Sequence, residues 1–144
     1  RSKVDDETTR AMAARQLASV EEVLAEADFV SLHCPGGAEN RHLIDAARLK
    51  AMKPGAFLIN TARGDVVDQQ ALVEALEDGT IAGAGLDVYD GEPAIPPALM
   101  RLENVVLLPH LGSATEETRV AMGMRAVDNL TAFFEGRAVP DKVA

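Results

Sequence analysis

Four short apolar runs, separated by helix-length segments that carry their own start and stop signals, constrain this chain more than any other feature. FVSLHC (residues 29–34), AFLIN (56–60), IAGAGLDV (81–88) and NVVLL (104–108) have the length and composition of strands. Between the first two, Asp45 is placed to cap a helix over 46–52, which Lys53-Pro54-Gly55 ends. Asp68 is placed to cap a helix over 69–77, closed by Gly79. Ser19 with Glu22 makes a capping-box pattern opening a helix over 20–27, and Ser113 with Glu116 makes another, opening a long helix to Glu135 that Gly136 stops. A Pro-rich loop over 92–97 leads through a short helix to the fourth strand.

Strands alternating with helices at this spacing imply crossover connections and a parallel sheet. AFLIN and VVLL are continuous apolar runs rather than alternations, as expected where helices cover both faces. The expected class is therefore α/β, a doubly wound parallel sheet of Rossmann type. At 144 residues the length suits about one domain. Hydrophobic residues make up 47% and aromatics only 3%, so its core must be aliphatic.

Composition also removes classes of function. A net charge of −9 argues against nucleic acid and anionic membranes as partners, since both call for clustered cations. The longest stretch without Asp, Glu, Lys or Arg, residues 104–115, falls well short of the about 20 apolar residues of a spanning helix. One cysteine, Cys34, excludes an internal disulfide framework and points to a reducing, cytoplasmic compartment. No metal site is expected: there are three histidines, no C-x-x-C, and no G-x-S-x-G for a nucleophilic hydrolase. Of the histidines, His42 reads as a surface loop residue. The acidic Asp5, Asp6 and Glu7 read as a solvated first helical turn, favoured by the helix dipole, rather than a cation site.

In an open parallel sheet, ligands bind beyond the carboxyl ends of the strands. The first strand ends in His33-Cys34-Pro35, the second in Thr61-Ala62-Arg63-Gly64, the third in Asp87 with Glu92-Pro93 beyond, and the fourth in Pro109-His110-Leu111-Gly112-Ser113. Arginine offers a planar fork of donors that matches a carboxylate. A histidine beside a carboxylate is held in one tautomer and exchanges a proton near neutral pH. Arg63, Glu92 and His110 together therefore suit a small anionic substrate whose carbonyl or hydroxyl gains or loses a proton. Each also has an ordinary reading: Arg63 in a surface ion pair, Glu92 as turn chemistry before proline, His110 bonded to backbone in a loop.

The run LINTARGDVVDQQALVEALEDGTIAGAGLDVYDGEP, followed by NVVLLPHLGSATEETR, resembles the D-isomer-specific 2-hydroxyacid dehydrogenases, and the likeness extends over about residues 19–136. That resemblance implies hydride transfer between a nicotinamide cofactor and a small 2-oxo acid. Arg63 would bind the substrate carboxylate and carbonyl, Glu92 would orient His110, and His110 would be the general acid/base. For the cofactor it implies Cys34 and Pro35 near nicotinamide and ribose, and Thr61, Ala62 and Arg63 lining the cleft through their backbones. Asp87 would meet the carboxamide, with Leu111, Gly112 and Ser113 forming the wall beside His110. HCPGGAENRHLI and GSATEETR most resemble the bacterial glyoxylate/hydroxypyruvate reductases. Glu92 stands where the formate dehydrogenase branch has Gln. Arg1-Ser2 resembles the pair with which NADP-preferring members hold the 2′-phosphate, so NADP is expected over NAD.

One departure matters. G-x-G-x-x-G is absent: Gly83-Ala84-Gly85 comes closest, but Val88 takes the final position and no helix signal follows Asp87 directly. With Arg1 rather than Met at the start, the expectation is a C-terminal portion of a longer protein. Residues 1–114 would then belong to a dinucleotide-binding domain and residues 115–144 to a long helix and tail returning towards a substrate domain. The first strand would present an unpaired edge, and the isolated segment would be poorly stable and catalytically silent. The family resemblance further implies a homodimer. A competing expectation is a dehydrogenase-like corepressor that binds the dinucleotide and protein partners without turnover.

Overall fold

The computed structural model describes residues 4–143, and the chain divides into two compact units, Arg1–Leu108 and Pro109–Ala144. In the first unit, α1 (Asp6–Ala11) and α2 (Val20–Glu26) precede β1 (Phe29–Leu32). Then follow α3 (Ala46–Ala51), β2 (Phe57–Asn60), α4 (Gln69–Glu77), β3 (Gly83–Leu86) and β4 (Val105–Leu107). Short 3-10 turns occupy Gly64–Val66 and Leu99–Arg101. The second of these replaces the short helix expected before β4.

Local signals start the helices of this unit. Asp5, Ser19, Asp45 and Asp68 each accept the backbone N–H three residues on, from Thr8, Glu22, Arg48 and Ala71. The Glu22 carboxylate reaches back to the N–H of Ala18 at 2.9 Å, one residue before the cap. Each strand is shorter than its apolar run. β1 stops at Leu32, leaving His33 and Cys34 in the loop, and β3 covers only Gly83–Leu86.

The four strands pair in parallel in the order β1-β2-β3-β4. Helix α3 packs between α2 and α4. Leu24, Val30, Leu32, Leu49, Leu58, Leu72, Leu76, Ile81 and Leu86 form the core with them. The parallel α/β class of Rossmann type is thus as expected. An unreversed strand order with crossovers of one hand carries the chain steadily in one direction and keeps its helices on one side. Side chains on the opposite face remain open: Phe29 is 69% exposed and Val106 63%. Phe29 and Phe57, paired in register, stack there with centroids 5.4 Å apart.

The second unit is built on α5 (Glu116–Phe134). Its cap is Thr115, which accepts the N–H of Thr118, and not Ser113 as the sequence pattern suggested. Ser113 lies in a turn closed by Ala114 N–H donating to the Leu111 carbonyl, so the helix can begin only after it. At the other end Gly136, at φ +70°, forms a Schellman stop: its N–H reaches the Phe133 carbonyl and that of Arg137 the Ala132 carbonyl. The tail is clasped to the helix by Asp141, which takes both Arg125 Nε (2.5 Å) and Arg125 Nη2 (2.6 Å) and accepts from Asn129 (2.7 Å). Among the described residues no helix is long and apolar enough to cross a membrane.

Candidate active site at the strand carboxyl ends

The loop after β2 is folded by a side chain that sequence reasoning passed over. Asn60, 1% exposed, donates from Nδ2 to the Arg63 carbonyl at 2.9 Å and accepts the Ala62 N–H at 3.1 Å. A buried amide satisfied at both ends fixes the turn Thr61–Ala62–Arg63 at the strand end. The signal was the Asn immediately before TARG, a residue type that folds turns through its own side chain. The Arg63 guanidinium points one donor back to the Ala62 carbonyl at 2.6 Å. Gly64 then passes so close to the next loop that an added Cβ would sit 1.9 Å from the Tyr89 carbonyl carbon.

The loop after β1 is tied to the same place. Gly37 N–H donates to Asp65 Oδ2 at 2.8 Å, and His42 N–H to the Asp65 carbonyl at 2.8 Å. Asn40 donates to the Pro35 carbonyl at 2.9 Å. Within that loop His42 is half-exposed, at φ +50°. At the base of the loop, Ser31 Oγ and His33 Nε2 lie 2.9 Å apart. Between the two loops is a cavity of about 340 Å3, lined by His33, Cys34, Pro35, Gly36, Thr61, Ala62 and Arg63. Five residues expected near a cofactor, namely Cys34, Pro35, Thr61, Ala62 and Arg63, therefore share one wall.

Beyond β3, Asp87 is buried and its N–H donates to the Asn60 carbonyl at 3.0 Å. Tyr89 follows, 5% exposed. Its N–H donates to Glu92 Oε1 at 2.9 Å, and its hydroxyl faces the carbonyls of Leu108 (2.8 Å) and Leu86 (3.2 Å). Burial pushes the Tyr89 phenol above its ordinary value. Glu92 is exposed and joined to Pro93 by a cis peptide bond. Neither Asp87 nor Glu92 is among the described residues lining the cavity.

His110, Leu111, Gly112 and Ser113 belong to the second unit, all exposed, in the loop before Thr115. His110 is held at φ +56°, a left-handed conformation that few non-glycine residues adopt and that concentrates at functional positions. Arg1 and Ser2 lie outside the described residues. No group of three or more His, Cys, Asp or Glu among the described residues could hold a metal ion.

A cavity of this volume is at the lower end of small-molecule sites, which run from about 300 to 1,000 Å3. It mixes an apolar wall (Pro35, Ala62), a thiol, a hydroxyl and a guanidinium, a donor set that fits a flat amide-bearing ring and its sugar.

Residues 1–112 match the family model described as the NAD binding domain of D-isomer specific 2-hydroxyacid dehydrogenase. The glyoxylate reductase of Thermococcus litoralis is 52% identical over 123 residues, covering 85% of this chain and 37% of that protein. Glyoxylate/hydroxypyruvate reductase B of Erwinia tasmaniensis is 51% identical over 116 residues, 80% of this chain and 36% of its own length. Among solved structures, the NADPH-dependent glyoxylate/hydroxypyruvate reductase of Sinorhizobium meliloti, in complex with NADP and malonate, superimposes with a TM-score of 0.83 at 37% identity. The match covers 96% of this chain and 48% of that one. The chain thus spans little more than a third of the length of the curated relatives it matches.

Proposed function

The chain belongs to the D-isomer specific 2-hydroxyacid dehydrogenase family, within whose NAD-binding domain residues 1–112 fall, and from that premise we propose that the protein at its natural length is an oxidoreductase of small 2-oxo and 2-hydroxy acids, glyoxylate and hydroxypyruvate foremost. The observation that carries this reading is the meeting of Cys34, Pro35, Thr61, Ala62 and Arg63 on one cavity at the carboxyl ends of β1 and β2.

When bound, the nicotinamide supplies or accepts the hydride. Cys34, Pro35, Thr61 and Ala62 would hold it through the cavity they line, and the family resemblance assigns Asp87, Leu111, Gly112 and Ser113 as further residues that would contact it. Arg63 grips the substrate carboxylate with its planar fork and polarises the adjacent carbonyl. His110 gives a proton to the carbonyl oxygen in reduction and takes it from the hydroxyl in oxidation. The role that the family resemblance implies for Glu92 is to orient His110 in the tautomer that would serve this exchange.

NADP is the favoured cofactor, since the Arg1 guanidinium suits a 2′-phosphate where an acid would suit a ribose hydroxyl. The NADP bound to the S. meliloti relative supports this choice. The same reading takes the protein as a cytoplasmic homodimer, the lone Cys34 being compatible with a reducing compartment.

The test is cofactor oxidation by the purified natural-length protein with glyoxylate or hydroxypyruvate, run in parallel with NADPH and NADH. Turnover with both acids, higher kcat/KM for NADPH, and loss of turnover in His110→Ala are expected. Dinucleotide binding without turnover of any 2-oxo acid would overturn the reading.

A further inference from the structure

The cavity takes its walls from two loops, the one leaving β1 and the one leaving β2. Away from the cavity these loops are laced by backbone bonds. His42 N–H donates to the Asp65 carbonyl at 2.8 Å, Ile44 N–H to the Val66 carbonyl at 3.0 Å and Asp68 N–H to the Ile44 carbonyl at 2.9 Å. At the cavity edge a side chain makes the crossing: Gly37 N–H donates to Asp65 Oδ2 at 2.8 Å. The other carboxylate oxygen faces Gly36, where an added Cβ would lie 2.6 Å from Asp65 Oδ1. The same Cβ would lie 3.1 Å from both Cβ and Cγ of Arg63. Gly36 thus packs against the Asp65 carboxylate and the stem of the arginine at once, directly after Cys34 and Pro35 in the chain. Asp65 itself is not among the described residues lining the cavity.

We infer that Asp65 is a positioning residue: its carboxylate latches the β1 loop, at Gly36 and Gly37, against the stem of Arg63 and so sets the distance between the wall of Cys34 and Pro35 and the guanidinium. The inference rests on the functional reading above, because it takes this cavity as the place of the nicotinamide and Arg63 as the grip on the acid. Every residue it uses lies in the first compact unit. A loop tied only at its far end swings at its near end, so molecules without the latch divide between a closed cavity and an open one. Ligands bind the closed form, and their apparent affinity falls with the fraction closed. Bound ligands then hold the loop themselves, and the reaction proceeds in the same geometry. Loss of the latch should therefore appear in KM and in dinucleotide affinity rather than in kcat.

Asp65→Ala removes the latch, while Asp65→Asn keeps an amide oxygen to accept the Gly37 N–H. In the natural-length protein, Asp65→Ala should raise KM for glyoxylate and the NADPH dissociation constant, read by nicotinamide fluorescence, by about tenfold each, with kcat within about twofold. Asp65→Asn should restore most of both losses. With no ligand present, the Gly37 amide should be protected from hydrogen exchange in the unsubstituted protein and in Asp65→Asn, and unprotected in Asp65→Ala. Gly36→Ala leaves Asp65 in place and presses on its carboxylate, so it carries the test where Asp65→Ala does not fold: it should raise the same two constants. In the Asp65→Ala background its effect should shrink, since the clash with Oδ1 is gone. Unchanged KM and dissociation constant in Asp65→Ala and Gly36→Ala would overturn the inference. So would a fall in kcat at unchanged KM, an asparagine variant no better than the alanine one, or Gly37 exchange indifferent to the substitution. Failure of the functional reading looks different: the unsubstituted protein would then turn over no 2-oxo acid, while Gly37 exchange would still report the latch.

Discussion

The buried side chain of Asn60 clasps the loop of Arg63, donating to the Arg63 carbonyl at 2.9 Å while accepting the Ala62 N–H at 3.1 Å. The conformation of the proposed carboxylate-binding arginine is thus set from beneath, by a residue in the last position of β2. Asn60→Ala leaves both backbone groups without that partner. A loss of about 1–3 kcal/mol in unfolding free energy is expected, the usual range for stranding a buried polar group. Urea denaturation measures it, and a raised KM for 2-oxo acids should accompany it.

Gly64→Ala should be at least as damaging for a different reason. Its Cβ would fall about 2 Å from the Tyr89 backbone, which cannot rotate away as a side chain could. Overpacking of this kind costs about 1–3 kcal/mol or more. A lowered denaturation midpoint with an unchanged m-value would report it.

Arg63→Lys tests the proposed grip on substrate. A lysine ammonium keeps the charge but loses the fork, so KM for glyoxylate should rise about tenfold or more, in line with the value of a charge-assisted bidentate pair. Steady-state kinetics at saturating cofactor decide it. An unchanged KM would place the substrate carboxylate elsewhere.

Glu92→Gln and His110→Gln separate the two partners of proton exchange. His110→Gln should lower kcat by about 10²–10⁴-fold, the usual worth of general acid/base catalysis. Glu92→Gln should do less, because the histidine remains. Cofactor binding, followed by nicotinamide fluorescence, should survive in both.

The tail clasp of α5 carries a pH prediction. Arg125, and after it Asn129, holds the Asp141 carboxyl below its ordinary value by bonding its charged form. A carboxyl depressed in the folded state stabilises that state above its unfolded value, and the contribution disappears as pH falls through the folded value. The clasp should therefore be complete at neutral pH and open only in acid. Protection of the Asp141 amide, which bonds Asn129 Oδ1 at 3.0 Å, should be lost there, its hydrogen exchange rising to the intrinsic rate at that pH. Asp141→Asn should reproduce the acid behaviour at pH 7.

Local chemistry was the most legible part of the sequence. Ser19, Asp45 and Asp68 cap their helices as read, because a cap is decided within four residues. The last helix was misread by two residues because Ser113 and Thr115 are both competent caps, and a turn from Leu111 to Ala114 decides between them. The cavity wall was legible from the rule that ligands gather at strand carboxyl ends, which picked out Cys34, Pro35, Thr61, Ala62 and Arg63. Asn60 and Tyr89 were not, because their importance lies in backbone groups they meet through space.

The unreversed order β1-β2-β3-β4 separates two kinds of evolutionary freedom in this unit. Substitutions along α2, α3 and α4 act on the apolar layer beneath the sheet and so tune how firmly the scaffold holds. Substitutions in the connections leaving β1, β2 and β3 act on a rim to which those helices contribute little. A lineage can therefore retool what the rim binds by editing its residues one at a time, while the aliphatic layer stays intact. The exceptions are the few rim positions that reach under neighbouring loops, Asn60, Gly64 and Tyr89, where a change made for chemistry is also a change to the scaffold.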